Sequence, residues 1–279
     1  MHEPLWQAFD FGRGDLRAKN STFMGPMTLA TAEPDGRLND WIVEWYRARA
    51  KGGVGSIIGA AAAVHASGFG WANAMTIHTD DHIDGWKRSV DAAHAEGVLF
   101  GTQLYHGGAA SHDALLGHQP WCPSAWKRDG FDSAREMTVD EIELVIDAFA
   151  DGARRSIQAG CDFVELHGAH GYLLHQFWRR DVNHREDKWG EPTLFATEVI
   201  KAVRAAVGER LRDPALADRL GQHHGRRRGG FPQHVRGHRP RQSRREDADD
   251  RAGAGAGSGR NRPGRRRFRR GAAAVARSG

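Results

Sequence analysis

Val164-Glu165-Leu166-His167-Gly168-Ala169-His170-Gly171-Tyr172-Leu173-Leu174-His175-Gln176-Phe177 is the stretch on which the reading of this chain turns. It continues an apolar run that begins at Cys161, so residues 161–166 read as a strand and the His and Tyr side chains follow its C-terminal end. In α/β barrels that end carries the catalytic groups. Two imidazoles three residues apart and a phenol two beyond them bring donors of different acidity into one small volume. Imidazole N–H groups can bind a carbonyl oxygen as negative charge builds on it, and a tyrosine hydroxyl can deliver a proton. The spacing admits other readings. A lone His is usually a packed or surface residue, Tyr172 can be core, and His167 with His170 has His-x-x-His spacing, which leaves a metal hydrolase open as a third reading. No further ligand at metal spacing completes that set, so no metal is expected.

Outward from this stretch, strands alternate with helices. Residues 21–28 form a short apolar run, 54–64 a second strand candidate and 98–104 a third. Residues 39–51 read as an amphipathic helix capped by Asn39 or Asp40, with Ile42, Trp45 and Tyr46 on one face and Gly52-Gly53 as its stop. Residues 81–96 repeat the pattern with Ile83, Trp86, Val90 and Ala93, and Gly97 ends it. A long loop with Trp121, Pro123 and Trp126 follows. Thr138 and Glu141 then make a capping box for a helix to about Ala159, and residues 193–207 form another helix. Such alternation implies parallel βαβ units with right-handed crossovers. Four of them in 210 residues suit half of an eight-stranded barrel; a doubly wound open sheet is the alternative, disfavoured because no GxGxxG follows an early strand.

The charge is split along the chain. The whole carries +5, yet residues 1–211 hold 21 Lys+Arg against 29 Asp+Glu, while residues 212–279 hold 19 Arg and 6 acidic residues. After residue 211 there is no Lys, Ile, Trp or Tyr, and the Gly/Ala/Arg vocabulary buries too little apolar area to offset its ordering entropy. We therefore expect residues 1–210 to be the folded part and 211–279 a disordered tail. This tail is either a basic arm for nucleic acid or a GC-rich gene read out of frame. The second fits better, because Phe231 and Phe268 are its only aromatics, too few for base stacking. Cys122 and Cys161 alone supply neither a disulfide framework nor a cluster motif, and no stretch is long and apolar enough to cross a bilayer, so no membrane partner and a cytoplasmic location are expected.

The His-Gly-Ala-His-Gly-Tyr-Leu-Leu-His-Gln-Phe stretch, followed by Asn183-His184-Arg185-Glu186-Asp187-Lys188-Trp189-Gly190, closely resembles the signature of the Old Yellow Enzyme family of NAD(P)H:flavin oxidoreductases. Three earlier segments agree in order: residues 19–28, ending Pro26-Met27-Thr28, with the family's first strand, 55–64 with its second and 101–108 with its third. The resemblance covers about residues 4–210. It implies a (β/α)8 TIM barrel, here its first four to five β/α units, and FMN as cofactor with NADH or NADPH as hydride donor. It further implies an α,β-unsaturated carbonyl compound as the small-molecule substrate; a homo-oligomer is compatible with it. Carried over by position, Pro26, Met27, Thr28, Ala61 and Gln103 would line the flavin. His167 would touch flavin and, with His170, grip the substrate oxygen, and Tyr172 would donate the proton. Departures are Trp178-Arg179-Arg180-Asp181, where the family has Leu-Ser-Pro, and Glu191-Pro192, where a glycine and a turn are expected. The late-strand phosphate loops are not recognisable in the tail, so weak FMN retention, aggregation or both are expected.

Overall fold

The computed structural model describes residues 3–11, 16–127 and 129–208. The expectation of a disordered tail over 211–279 lies outside the described residues. At the centre are four parallel strands in sequential order: β1 (Phe23–Met24), β2 (Ser56–Ala63), β3 (Leu99–Tyr105) and β4 (Phe163–Leu166). Between them run α1 (Asp40–Lys51), α2 (Ile83–His94) and α3 (Val139–Gln158), and after β4 come α4 (Leu173–Trp178) and α5 (Leu194–Val207). This is the β/α alternation of a partial barrel.

Local chemistry sets the helix ends. The Asn39 side chain accepts from the Ile42 N–H at 3.2 Å, opening α1. At α3, Thr138 Oγ1 accepts from Glu141 N at 3.2 Å while Glu141 Oε2 accepts from Thr138 N at 2.9 Å, and Arg135 grips the same carboxylate through two N–H groups. That guanidinium holds the Glu141 carboxyl below its ordinary range. Two elements depart from expectation. β1 spans only two residues, because the chain leaves the ladder at Gly25-Pro26, and proline has no N–H to extend it. The long loop contains a small three-stranded mixed sheet in which Trp121–Cys122 pairs parallel with Ser133–Glu136, which pairs antiparallel with Trp126–Lys127.

The core lies between sheet and helices. On β3, Phe100, Thr102 and Leu104 face α1–α3: Phe100 meets Tyr46 edge-on at 5.0 Å between ring centres, and Thr102 Oγ1 shares a 2.7 Å hydrogen bond with Ser156 Oγ of α3. Tyr46 is fully buried, and its hydroxyl accepts from the Ala60 N–H of β2 at 2.7 Å. Burial raises this phenol's pKa strongly, so it stays protonated. Ala60 lies where the β2–β3 register shifts, between Ile58 and Ala61, so the ladder leaves its amide to the phenol. Tyr46→Phe removes the acceptor and leaves that N–H buried without a partner; we expect a loss of about 1–3 kcal/mol, read from the urea midpoint at unchanged slope.

Candidate functional site

Strand alternation sends the other side chains to the sheet's inner face. Ala61 is opposite Gln103, and Gln103 opposite Glu165, so the three form one row across β2, β3 and β4. One level toward the C-terminal ends, Ala63 is opposite Tyr105, and His167 follows β4 two residues after Glu165. One level below, Gly101 is opposite Phe163, whose ring fills the space that a side chain at 101 would take. Within the row, the Gln103 amide donates to Glu165 Oε1 at 2.5 Å. Ala61 and Gln103 are buried and Glu165 is half-buried.

The turn after β4 gathers the three residues singled out by the sequence. His167 and His170 share a 3.2 Å hydrogen bond between Nε2 and Nδ1, and Tyr172 lies edge-on to His167 at 4.8 Å between ring centres. The turn closes because His170 and Gly171 both adopt left-handed backbone, with φ of 58° and 76°. Such geometry is free for glycine but strained for histidine. His167 Nδ1 accepts from the Ala169 N–H at 3.3 Å, so in the neutral ring Nε2 carries the proton and donates to His170. Burial, and next the neighbouring His170, push the His167 pKa down from 6.5 to about 4. This imidazole is a neutral donor at physiological pH. Among the described residues, no group of three His, Cys, Asp or Glu is arranged to hold a metal.

Several residues that frame the turn were not singled out in the sequence. Gln176, wholly buried on α4, accepts from Ala109 N at 3.1 Å and donates to the carbonyls of Gly171 at 2.7 Å and Gly107 at 3.3 Å. It ties the loop after β3 to the turn. His106 accepts at Nδ1 from Gly108 N and bonds through Nε2 to Ser67 Oγ at 3.0 Å, joining the loops after β2 and β3. Complete burial holds the His106 pKa near 3. Trp71 stacks on Tyr105 at 5.1 Å, and Tyr105 in turn meets Tyr172 at 5.3 Å, making an aromatic wall beside the phenol. The strand period of two was the available signal for Glu165, since His167 already marked its face; Trp71 and Gln176 required the folded arrangement.

Ala61, Gln103, His167, His170 and Tyr172 therefore gather around one end of the sheet. Pro26, Met27 and Thr28 follow β1 at the same C-terminal end, Pro26 half-buried and the other two exposed.

Comparison with known proteins gives a consistent picture. The model of the NADH:flavin oxidoreductase / NADH oxidase family matches residues 4–227. The chain is 37% identical over 196 residues to an NADPH dehydrogenase of Bacillus velezensis, a match covering 68% of this chain and 57% of the relative. Against an NADH:fumarate oxidoreductase of Klebsiella pneumoniae it is 38% identical over 192 residues, 68% of this chain but 20% of the relative. It thus spans little more than half, or much less, of these relatives' lengths. Among solved structures, an Old Yellow Enzyme homologue from Zymomonas mobilis superposes with a TM-score of 0.68 at 32% identity, over 74% of this chain and 61% of that one. Morphinone reductase in complex with tetrahydroNAD gives 0.69 at 30% identity, over 74% and 60%.

The buried His167 has a titration signature. The unfolded imidazole takes a proton near 6.5 and the folded His167 resists to about 4. The unfolded state therefore binds more protons in that window, and native stability falls as pH drops through it. In an NMR titration, we expect a His167 ring midpoint near 4 in the native chain. His170→Ala should move it only part of the way up, since burial is the larger cause; a full return to 6.5 would contradict this account.

Proposed function

The chain belongs to the NADH:flavin oxidoreductase / NADH oxidase family, and on that premise we propose that it is an FMN-dependent oxidoreductase which passes hydride from NADH or NADPH to the activated double bond of an α,β-unsaturated carbonyl compound. The observation that carries this reading is the cluster of His167, His170 and Tyr172 at the C-terminal end of β4, directly above the row Ala61, Gln103, Glu165. The donor set fits a flat heteroaromatic ring. Ala61 contributes only a methyl group to that face, and Gln103 offers an amide that both donates and accepts. Pro26, Met27 and Thr28 flank the same end from β1. FMN, when bound, supplies the two-electron chemistry between the nicotinamide and the alkene.

The chain's own residues do the rest by orientation and polarisation. The neutral His167 donates through Nε2, and its bond to His170 Nδ1 fixes His170 as a donor through its own Nε2. A substrate carbonyl oxygen would accept from His170 Nε2–H, and from His167 Nε2–H once that N–H turns to it from His170; the carbonyl carbon and the alkene conjugated to it then become electron-poor. Tyr172, edge-on to His167 and walled by Tyr105 and Trp71, delivers the proton to the α carbon from its hydroxyl oxygen.

The test is to supply FMN to the purified full chain and follow flavin bleaching by NADH or NADPH, then recovery on adding an enone. Tyr172→Phe should leave bleaching within about twofold of the parent. Enone-driven recovery should fall by about 10²–10⁴-fold, the usual worth of a positioned proton donor. A chain that neither binds FMN nor oxidises nicotinamide would sink the reading, and equal losses in both half-reactions would remove Tyr172 from its role.

A further inference from the structure

Glu165 has no part in the reaction just described, yet it stands at its centre. It is opposite Gln103 in the β3–β4 ladder and two residues before His167, so it faces the barrel interior between Phe163 below and His167 above. Gln103 Nε2 donates to its Oε1, and Gln103 is itself only 7% exposed. The two ends of a glutamine amide have nearly the same shape, and shape alone does not say which end faces which neighbour. A carboxylate removes the ambiguity because it only accepts hydrogen bonds. Oε1 of Gln103 turned toward Glu165 would forfeit the hydrogen bond between the two side chains and set two acceptors against each other in a partly buried place.

We propose that Glu165 is a positioning residue that fixes the flip of the Gln103 amide, so that Gln103 presents its carbonyl oxygen beside one remaining N–H and selects a ligand edge carrying an imide N–H next to a carbonyl oxygen. The inference rests on the flavin reading above and deepens it. The pyrimidine edge of an isoalloxazine has that alternation of donor and acceptor, and Gln103 in the reversed flip would meet it with like against like. Ala61, on the other side of Gln103 in the same row, has no polar side-chain atom to share this task. The selection therefore comes from β4, the strand that also carries the histidines.

The test uses the full chain with Glu165→Leu and Glu165→Gln, FMN and 3-methyl-FMN as probes, and flavin fluorescence quenching as the readout. Methylation removes the imide N–H and leaves the ring otherwise intact. The parent should bind FMN about tenfold more tightly than 3-methyl-FMN, equivalent to about 1.4 kcal/mol. Glu165→Leu should bring this ratio close to one. Glu165→Gln, whose own amide tolerates either flip of its neighbour, should fall between them and serves if the leucine variant does not fold. Equal losses for both flavins, with the ratio kept, would show a merely structural role and overturn the proposal. In the flavin-free chain, the Gln103 side-chain amide signal of the 15N spectrum should shift on Glu165→Leu; an unchanged signal also overturns it. If the parent binds neither flavin, the flavin reading fails and takes the selection role with it, while the amide signal still decides whether Glu165 and Gln103 are paired.

Discussion

The parallel register of β2, β3 and β4 is the constraint on which everything else depends. Both faces of these strands are covered, so burial alone does not tell one face from the other; what separates them is the chemistry of alternate residues. Phe100, Thr102 and Leu104 turn toward the helices, where Tyr46 receives Phe100 and Ser156 satisfies Thr102. Gly101, Gln103 and Tyr105 turn inward, beside Phe163, Glu165 and the following His167. A slip of one residue would send Gln103 into the helix layer, with no partner for its amide, and Phe100 into the interior. The Thr102–Ser156 bond and the Gln103–Glu165 bond therefore pin the same register from opposite sides of one strand.

Above the strands, the site is held by side chains that satisfy backbone groups of neighbouring loops. Gln176 uses both N–H donors and its oxygen on three peptide groups, and Leu173 N donates to His106 O at 3.0 Å. These bonds fasten a turn whose His170 sits at a positive φ that a free peptide would avoid. Strain of this kind persists only where the surroundings over-determine the backbone, and here Gly171 and Leu173 are fastened just after it while His167 N donates to Leu104 O at 2.9 Å just before it. The imidazole pair and the phenol can thus keep a fixed relation although they belong to a connection and not to a strand.

Much of this arrangement was legible because it is encoded locally. The α1 cap at Asn39 and the Thr138/Glu141 capping box are short-range chemistry, and the apolar runs of β2 and β3 were long enough to show themselves. The six-residue α4 is too short for a helical period, and the two-residue strands at Trp121–Cys122 and Trp126–Lys127 too short for alternation. The run at 21–28 looked like a full strand since apolar content says nothing about where a ladder ends. At the site, the His and Tyr spacing was readable from chemistry alone, whereas Ala61 and Gln103 emerged only through resemblance to a family. Glu165, a charged residue amid an apolar run, read as a strand residue until the ladder placed it against Gln103.

In the proposed reaction, the burial of His167 would also divide labour within the cluster. A protonated imidazole would polarise a carbonyl more strongly than a neutral one, but with a pKa near 4 the ring could hold that charge only in acid far from neutrality. In its place the fold offers a neutral N–H whose tautomer is set by the Ala169 amide and which, at rest donating to His170, would exchange that partner for the substrate oxygen and strengthen its bond there as negative charge grows. A group that binds the oxygen in this way is poorly suited to give up its proton as well, since losing it would forfeit the bond that stabilises the same charge. On the proposed mechanism the proton would then come from a separate acid close by. Tyr172, at 4.8 Å from the His167 ring centre and backed by the Tyr105–Trp71 stack, is the side chain that the turn places there.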